Sequence, residues 1–136
     1  MKELRIEANT DNLNKVMAFI DEQLEGTGCS FKTQTKIDVS VEEIFVNIAH
    51  YAYPGSSGDA VIGIDISGDP GTVTVQFSDE GIPYDPLSKE DPDVNATLED
   101  REIGGLGIYM VKKTMDSMSY EYKDGKNVLT LTKALQ

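Results

Sequence analysis

Glu43 and Asn47 lie four residues apart in the stretch VEEIFVNIAHYAY. On a helix that spacing stacks one side chain a turn above the other. A carboxylate beside an amide oxygen is a pair of hard oxygen donors. Such donors suit Mg²⁺, which keeps several waters and leans on substrate phosphates. The same carboxylate could instead take a proton from water or a hydroxyl. At about 100° per residue, both positions sit off the centre of the apolar stripe Ile37, Val41, Ile44, Phe45 and Ile48. Glu42 falls on the other side of that stripe. A solvated helix face gives the same pattern, so the pair alone does not fix a role.

Asp79 and Gly81 form a second group, in FSDEGIPYDP. An acid at the end of a strand commonly caps a turn. It could also accept a hydrogen bond from an exocyclic amine, with Gly81 letting a flat ring approach. A third group is the glycine-rich run Gly104, Gly105, Leu106 and Gly107, directly ahead of an amphipathic segment. A helix N-terminus presents unpaired N–H groups and the positive end of its dipole, and glycines let backbone wrap an anion. The run is therefore a candidate phosphate cradle. It lacks the Lys-Ser/Thr of a P-loop, and no βαβ unit frames it as a dinucleotide site. His50 is the sole histidine, so no His-rich metal cluster or Ser-His-Asp set can form around it. It reads as a helix-face residue.

These groups need elements to hold them. Residues 4–8 read as a strand. Thr10 or Asp11 is placed to cap a helix carrying Leu13, Val16, Met17, Ile20 and Leu24, which Gly26 and Gly28 stop. A second helix is expected over 33–51. Ile62, Ile64 and Ile66, a turn over 68–71, then Val73, Val75 and Phe77 make a hairpin. Residues 80–102 hold no period and contain Pro83, Pro86 and Pro92; a loop of that length is usually functional or disordered. A third helix is expected over 106–115. A closing hairpin follows, with Met118, Tyr120 and Tyr122 on one arm, Asp124-Gly125 at the turn, and Leu129 and Leu131 on the other. Strands joined by both hairpins and helices give a two-layer α/β (α+β) sandwich. Its sheet is expected to be mixed and mostly antiparallel, with helices on one face.

The chain has 136 residues, enough for one domain with its own core, expected over 1–136. Its net charge of −12 argues against nucleic-acid binding, which needs clustered Lys and Arg. No apolar run approaches the roughly 20 residues of a membrane span, and residues 1–11 lack the apolar stretch of a secretory signal. A cytoplasmic location is the expectation. The single cysteine, Cys29, allows no intrachain disulfide and no cysteine zinc cluster.

Taken together, the three groups resemble the ATP-binding fold shared by gyrase, the ninety-kilodalton chaperone, histidine kinases and a mismatch-repair protein, known as the GHKL or Bergerat fold. Within it the chain looks most like the anti-sigma-factor serine/threonine kinases of bacterial stress and sporulation switches. The resemblance covers nearly the whole chain, in family order: Glu-x-x-x-Asn at 43–47, Asp-x-Gly at 79–81, and RE-x-GGLG at 101–107. It implies that Asn47 ligates Mg²⁺ and that Glu43 is the general base. It implies that Asp79 bonds the adenine amino group, with Gly81 beside the base. The backbone around Gly104, Gly105, Leu106 and Gly107 would hold the phosphates, and residues 80–102 would form a lid over ATP. Arg101, from its own charge and its place at the end of that stretch, would approach the γ-phosphate. The implied partners are an anti-sigma-factor antagonist of the STAS type and a sigma factor or similar regulator, and the implied state is a homodimer. Two positions depart from the pattern: Tyr51 stands where the family often has His, and Gly125-Lys126-Asn127 replaces the usual Gly-Thr. The first bears on packing or partner choice, and the second is expected to weaken contacts to adenine. Two other readings compete with the kinase: a non-catalytic partner-switching module, and the catalytic domain of a histidine kinase. The second is weakened because no helical hairpin with a phosphoacceptor His precedes the fold within these residues.

Overall fold

The computed structural model describes residues 1–68, 71–88 and 105–135. Strand β1 (Lys2–Glu7) leads into α1 (Leu13–Leu24) and α2 (Phe31–Tyr51). The hairpin β2 (Asp59–Ser67) and β3 (Thr72–Asp79) follows, then α3 (Gly105–Thr114), β4 (Ser117–Lys123) and β5 (Lys126–Ala134). The five strands form one sheet in the order β1-β2-β3-β5-β4. All four pairings are antiparallel, so the parallel pairing implied by a mixed sheet is not found among the described strands. The reason is topological. Among the described residues the connection from β3 to β4 contains α3, and the two strands run parallel but apart. β5 then folds back and inserts between them, antiparallel to both.

The core lies between one face of the sheet and the helices. α2 contributes Ile37, Val41, Ile44 and Phe45, and α1 contributes Val16, Ile20 and Leu24. The sheet answers with period-two rows: Ile62 and Ile64 on β2, Val73, Val75 and Phe77 on β3, Leu129 and Leu131 on β5. This alternation does more than build a core. Asp79 continues the Val73-Val75-Phe77 row and Asn127 continues the Leu129-Leu131 row, so both polar groups are carried onto the helix-covered face. The two residues are register partners across β3 and β5.

Local chemistry sets the element ends. Ser30 caps α2 by accepting from the Thr33 N–H at 3.1 Å, so the helix starts two residues before the expected Thr33. Asn9, rather than Thr10 or Asp11, supplies the first cap: its Oδ1 accepts from the Asp11 N–H at 2.8 Å and opens a short 3₁₀ turn ahead of α1. At the β4–β5 hairpin, Asp124 and Gly125 have φ of 55° and 78°. Positive φ at both central residues is the turn that matches strand twist, and Gly at the second of them avoids the strain.

One helix contact is costly at neutral pH. Asp38 on α2 hydrogen-bonds the Asp21 carboxyl on α1, and burial together with that acid neighbour pushes its pKa up to about 7. Its Oδ1 is buried with no hydrogen-bond partner, while Asp21 Oδ1 accepts from Gln34 Nε2 at 3.1 Å. A carboxyl that is harder to ionise folded than unfolded stabilises the fold while protonated. That contribution is lost as pH rises from about 4, the unfolded value, through about 7. Asp38→Asn is expected to raise stability at pH 8 by on the order of 1 kcal/mol, the figure being discounted for partial exposure. Urea unfolding at pH 5 and pH 8 checks it: the gain should be absent or reversed at pH 5.

Candidate functional site

The last turns of α2, the end of β3 and the first turn of α3 meet at one end of the sandwich. Asn47, Ile48 and Tyr51 from α2 line a cleft there with Phe77 and Asp79 from β3, and Ile108 of α3 closes its floor. Ile82, Tyr84 and Pro86 of the segment after β3 and Tyr120, Asn127 and Leu129 of β4 and β5 complete the wall. In this conformation the cleft encloses about 40 Å³. That is room for one or two waters, against the roughly 300–1,000 Å³ of pockets that hold drug-sized ligands. A volume of that size does not hold a purine.

Asp79 is 7% exposed. Its Oδ1 accepts from the Gly81 N–H at 2.9 Å and from Asn127 Nδ2 at 2.9 Å. Gly81 is required by a close backbone approach: a Cβ there would lie 2.2 Å from the Ala52 carbonyl oxygen. That same carbonyl accepts from the Ile82 N–H at 2.9 Å, tying the end of α2 to the segment leaving β3. The space beside Gly81 is thus filled by protein backbone at the position a side chain would take.

Glu43 and Asn47 are both half-buried, whereas Glu42 and His50 are exposed. The Glu43 carboxylate reaches α3. A Cβ on Gly107 would stand 2.2 Å from Glu43 Oε2, so glycine at 107 makes room for the acid. The sequence placed the glycine run ahead of the helix; instead Gly105 is the first residue of α3, and Leu106 and Gly107 lie in its first turn. The N–H groups of a first turn have no partner within their own helix, so the helix can start on glycine without losing hydrogen bonds. Gly104 and Arg101 lie outside the described residues, as does most of the expected lid. Residues 80–88 are described and include a 3₁₀ turn at Pro86–Ser88.

Two features escaped the sequence reading. Asn127 is buried and saturated: Nδ2 donates to Asp79 Oδ1 and, at 2.8 Å, to the Ile82 carbonyl, while Oδ1 accepts from the Tyr84 N–H at 3.0 Å and from the Tyr120 hydroxyl. Burial pushes the Tyr120 phenol up, so its proton stays available for that bond. Tyr53 is the second. Its hydroxyl donates to the Asp59 carbonyl at 2.6 Å and accepts from the Glu80 N–H at 2.9 Å, joining the start of β2 to the end of β3. Burial raises the Tyr53 phenol, with the Glu80 amide opposing. Tyr53→Phe is expected to cost about 1–2 kcal/mol, because the Glu80 N–H and Asp59 carbonyl lose a partner; thermal unfolding measures it.

These features define a class. The family of histidine kinase-like ATPase domains matches residues 6–133, and the chain belongs to that family. Its relatives are protein kinases by name. The serine/threonine-protein kinase BtrW of Bordetella bronchiseptica is 30% identical over 104 residues, covering 76% of this chain and 72% of BtrW. The serine-protein kinase RsbW of Listeria monocytogenes is 26% identical over 106 residues, covering 75% and 67% respectively. A crystal structure of the RsbU and RsbW domains of Rv1364c from Mycobacterium tuberculosis superposes over 98% of this chain with a TM-score of 0.67, at 20% identity. This chain spans 32% of that one, and at such identity the likeness concerns the fold. Among the described residues no helix is long and apolar enough to cross a membrane.

Proposed function

We propose that this chain forms an ATP-dependent serine/threonine protein kinase domain that also restrains a regulatory partner. The observation that carries the reading is the meeting of Asn47 and Asp79 in one cleft, with Glu43 lodged against Gly107 at its α3 end. The donor types fit a magnesium nucleotide. Asp79 keeps Oδ2 without a protein hydrogen bond among the described residues, an acceptor for an exocyclic amine. Asn47 offers an amide oxygen of the hard kind that Mg²⁺ takes. That ion, once bound, would neutralise charge on the transferring phosphoryl group.

Each residue then has a task. Asp79 selects the base and orients it between α2 and β3. The first-turn N–H groups around Gly105, Leu106 and Gly107, with Gly104 before them, hold the phosphates at the positive end of α3. Glu43 accepts the proton of the incoming Ser or Thr hydroxyl, one turn before Asn47. Phosphoryl transfer asks mainly for positioning and charge neutralisation, so this small set is sufficient. Arg101 approaches the γ-phosphate. The substrate is a Ser or Thr on an anti-sigma-factor antagonist of the STAS type, and the restrained partner is a sigma factor or similar regulator. The working form is a cytoplasmic homodimer.

The narrowness of the cleft favours a second reading, a partner-switching module that binds nucleotide or merely keeps the fold, without turnover. Incubation with γ-labelled ATP and candidate antagonist domains separates the two. Transfer of label to a Ser or Thr supports the kinase. Saturable ATP binding with no transfer to any antagonist supports the module.

A further inference from the structure

The four hydrogen bonds of Asn127 do something beyond holding the fold. Both of its Nδ2 hydrogens are committed to acceptors, Asp79 Oδ1 and the Ile82 carbonyl. Its Oδ1 faces two donors, the Tyr84 N–H and the Tyr120 hydroxyl. Turning the amide over would set oxygen against two acceptors and NH₂ against two donors, so the surroundings allow one orientation. With the Gly81 N–H also on Asp79 Oδ1, that oxygen has two donors. The carboxylate is thereby locked about its own axis. Oδ2 is left as the acceptor offered to the cleft that Asp79 lines.

We infer that Asn127 is a positioning residue for Asp79, fixing which carboxylate oxygen meets the base and so setting the preference for a 6-amino purine over a 6-oxo purine. The inference rests on the nucleotide-binding reading above and deepens it. A 6-amino group donates a hydrogen bond, and an ionised, fixed carboxylate can only accept one. A 6-oxo base presents an acceptor at the same place, and two acceptors repel. Asn127→Asp replaces the two amide donors by a carboxyl. Two facing acids share a proton, because like charges at hydrogen-bond distance cannot both stay ionised. That proton lies on the Oδ1 side, so Oδ2 still accepts but carries less charge, and the preference for the 6-amino base falls. Asn127→Ser removes both Nδ2 donors without adding charge and frees the carboxylate to turn.

The test is the ratio of ATP to ITP affinity, measured by calorimetry with Mg²⁺ on the intact chain, beside a thermal melt of each protein without nucleotide. The wild type is expected to prefer ATP by at least about 10-fold, the scale of one satisfied charged hydrogen bond against an unsatisfied one. Asn127→Asp and Asn127→Ser should each lower the ratio several-fold. A role in stability alone would lower both affinities together and leave the ratio in place, and that result overturns the inference. Should Asn127→Asp fail to fold, Asn127→Ser decides: an unchanged ratio overturns the inference, a lowered one supports it. Failure of the underlying reading looks different, since the wild type would then bind neither nucleotide.

Discussion

Glu43→Gln is expected to slow phosphoryl transfer by about 10²–10⁴-fold, the usual contribution of a positioned general base. The substitution is nearly isosteric, and its amide keeps the contact with the first turn of α3 that glycine at 107 permits. Nucleotide affinity should therefore stay within a few-fold of wild type. The measurement is a single-turnover rate with label on the γ-phosphate, paired with an equilibrium titration of ATP. Loss of rate with retained affinity assigns Glu43 to the chemical step. Equal loss of both would make it a binding residue, and an unchanged rate would remove it from the mechanism. Gly107→Ala should mimic the loss from the other side, since the new methyl group occupies the space of Glu43 Oε2.

Asp79→Ala is expected to lower ATP affinity by about 100-fold, corresponding to about 2.7 kcal/mol. It should also destabilise the protein without nucleotide, by about 1–3 kcal/mol, because the Gly81 N–H and Asn127 Nδ2 lose their shared acceptor in a buried place. The two effects can be separated. Calorimetric titration well below the melting temperature reports the first, and urea unfolding reports the second. Destabilisation with undiminished ATP affinity would leave Asp79 as a strand-end capping residue, the simpler of its two sequence readings.

Both variants draw on positions that the sequence displayed, and the manner of display is instructive. Glu43 and Asn47 stood out through helical spacing, and α2 does carry them, off its buried stripe. Asp79 was visible as an acid ending a strand. The row Val73-Val75-Phe77, extended by one step, puts it on the covered face, because a period of two fixes the face of every residue in a strand. The same period places Asn127 with Leu129 and Leu131, a step the sequence analysis did not take. Alternation gives the face of a residue and leaves its cross-strand partner unstated. Only the β3–β5 register brings Asn127 opposite Asp79. Likewise, the glycines at 81 and 107 suggested room for a ligand. In the fold their missing side chains make room for Ala52 and Glu43. A glycine announces close approach without naming what approaches. The antiparallel sheet followed a similar pattern, since hairpins and helices were legible while the insertion of β5 between β3 and β4 depends on contacts distant in the chain. Helix starts moved by a residue or two, where Asn9 and Ser30 proved to be the capping groups.

The most direct measurement is a crystal structure of the chain with Mg²⁺ and a non-hydrolysable ATP analogue. The account predicts the adenine amino group within about 3.2 Å of an Asp79 carboxylate oxygen and the Asn47 amide oxygen about 2.1 Å from the metal. The phosphates should lie at the N-terminal turn of α3. Nucleotide bound elsewhere, or bound in this cleft with Asp79 and Asn47 turned away from it, would contradict the account.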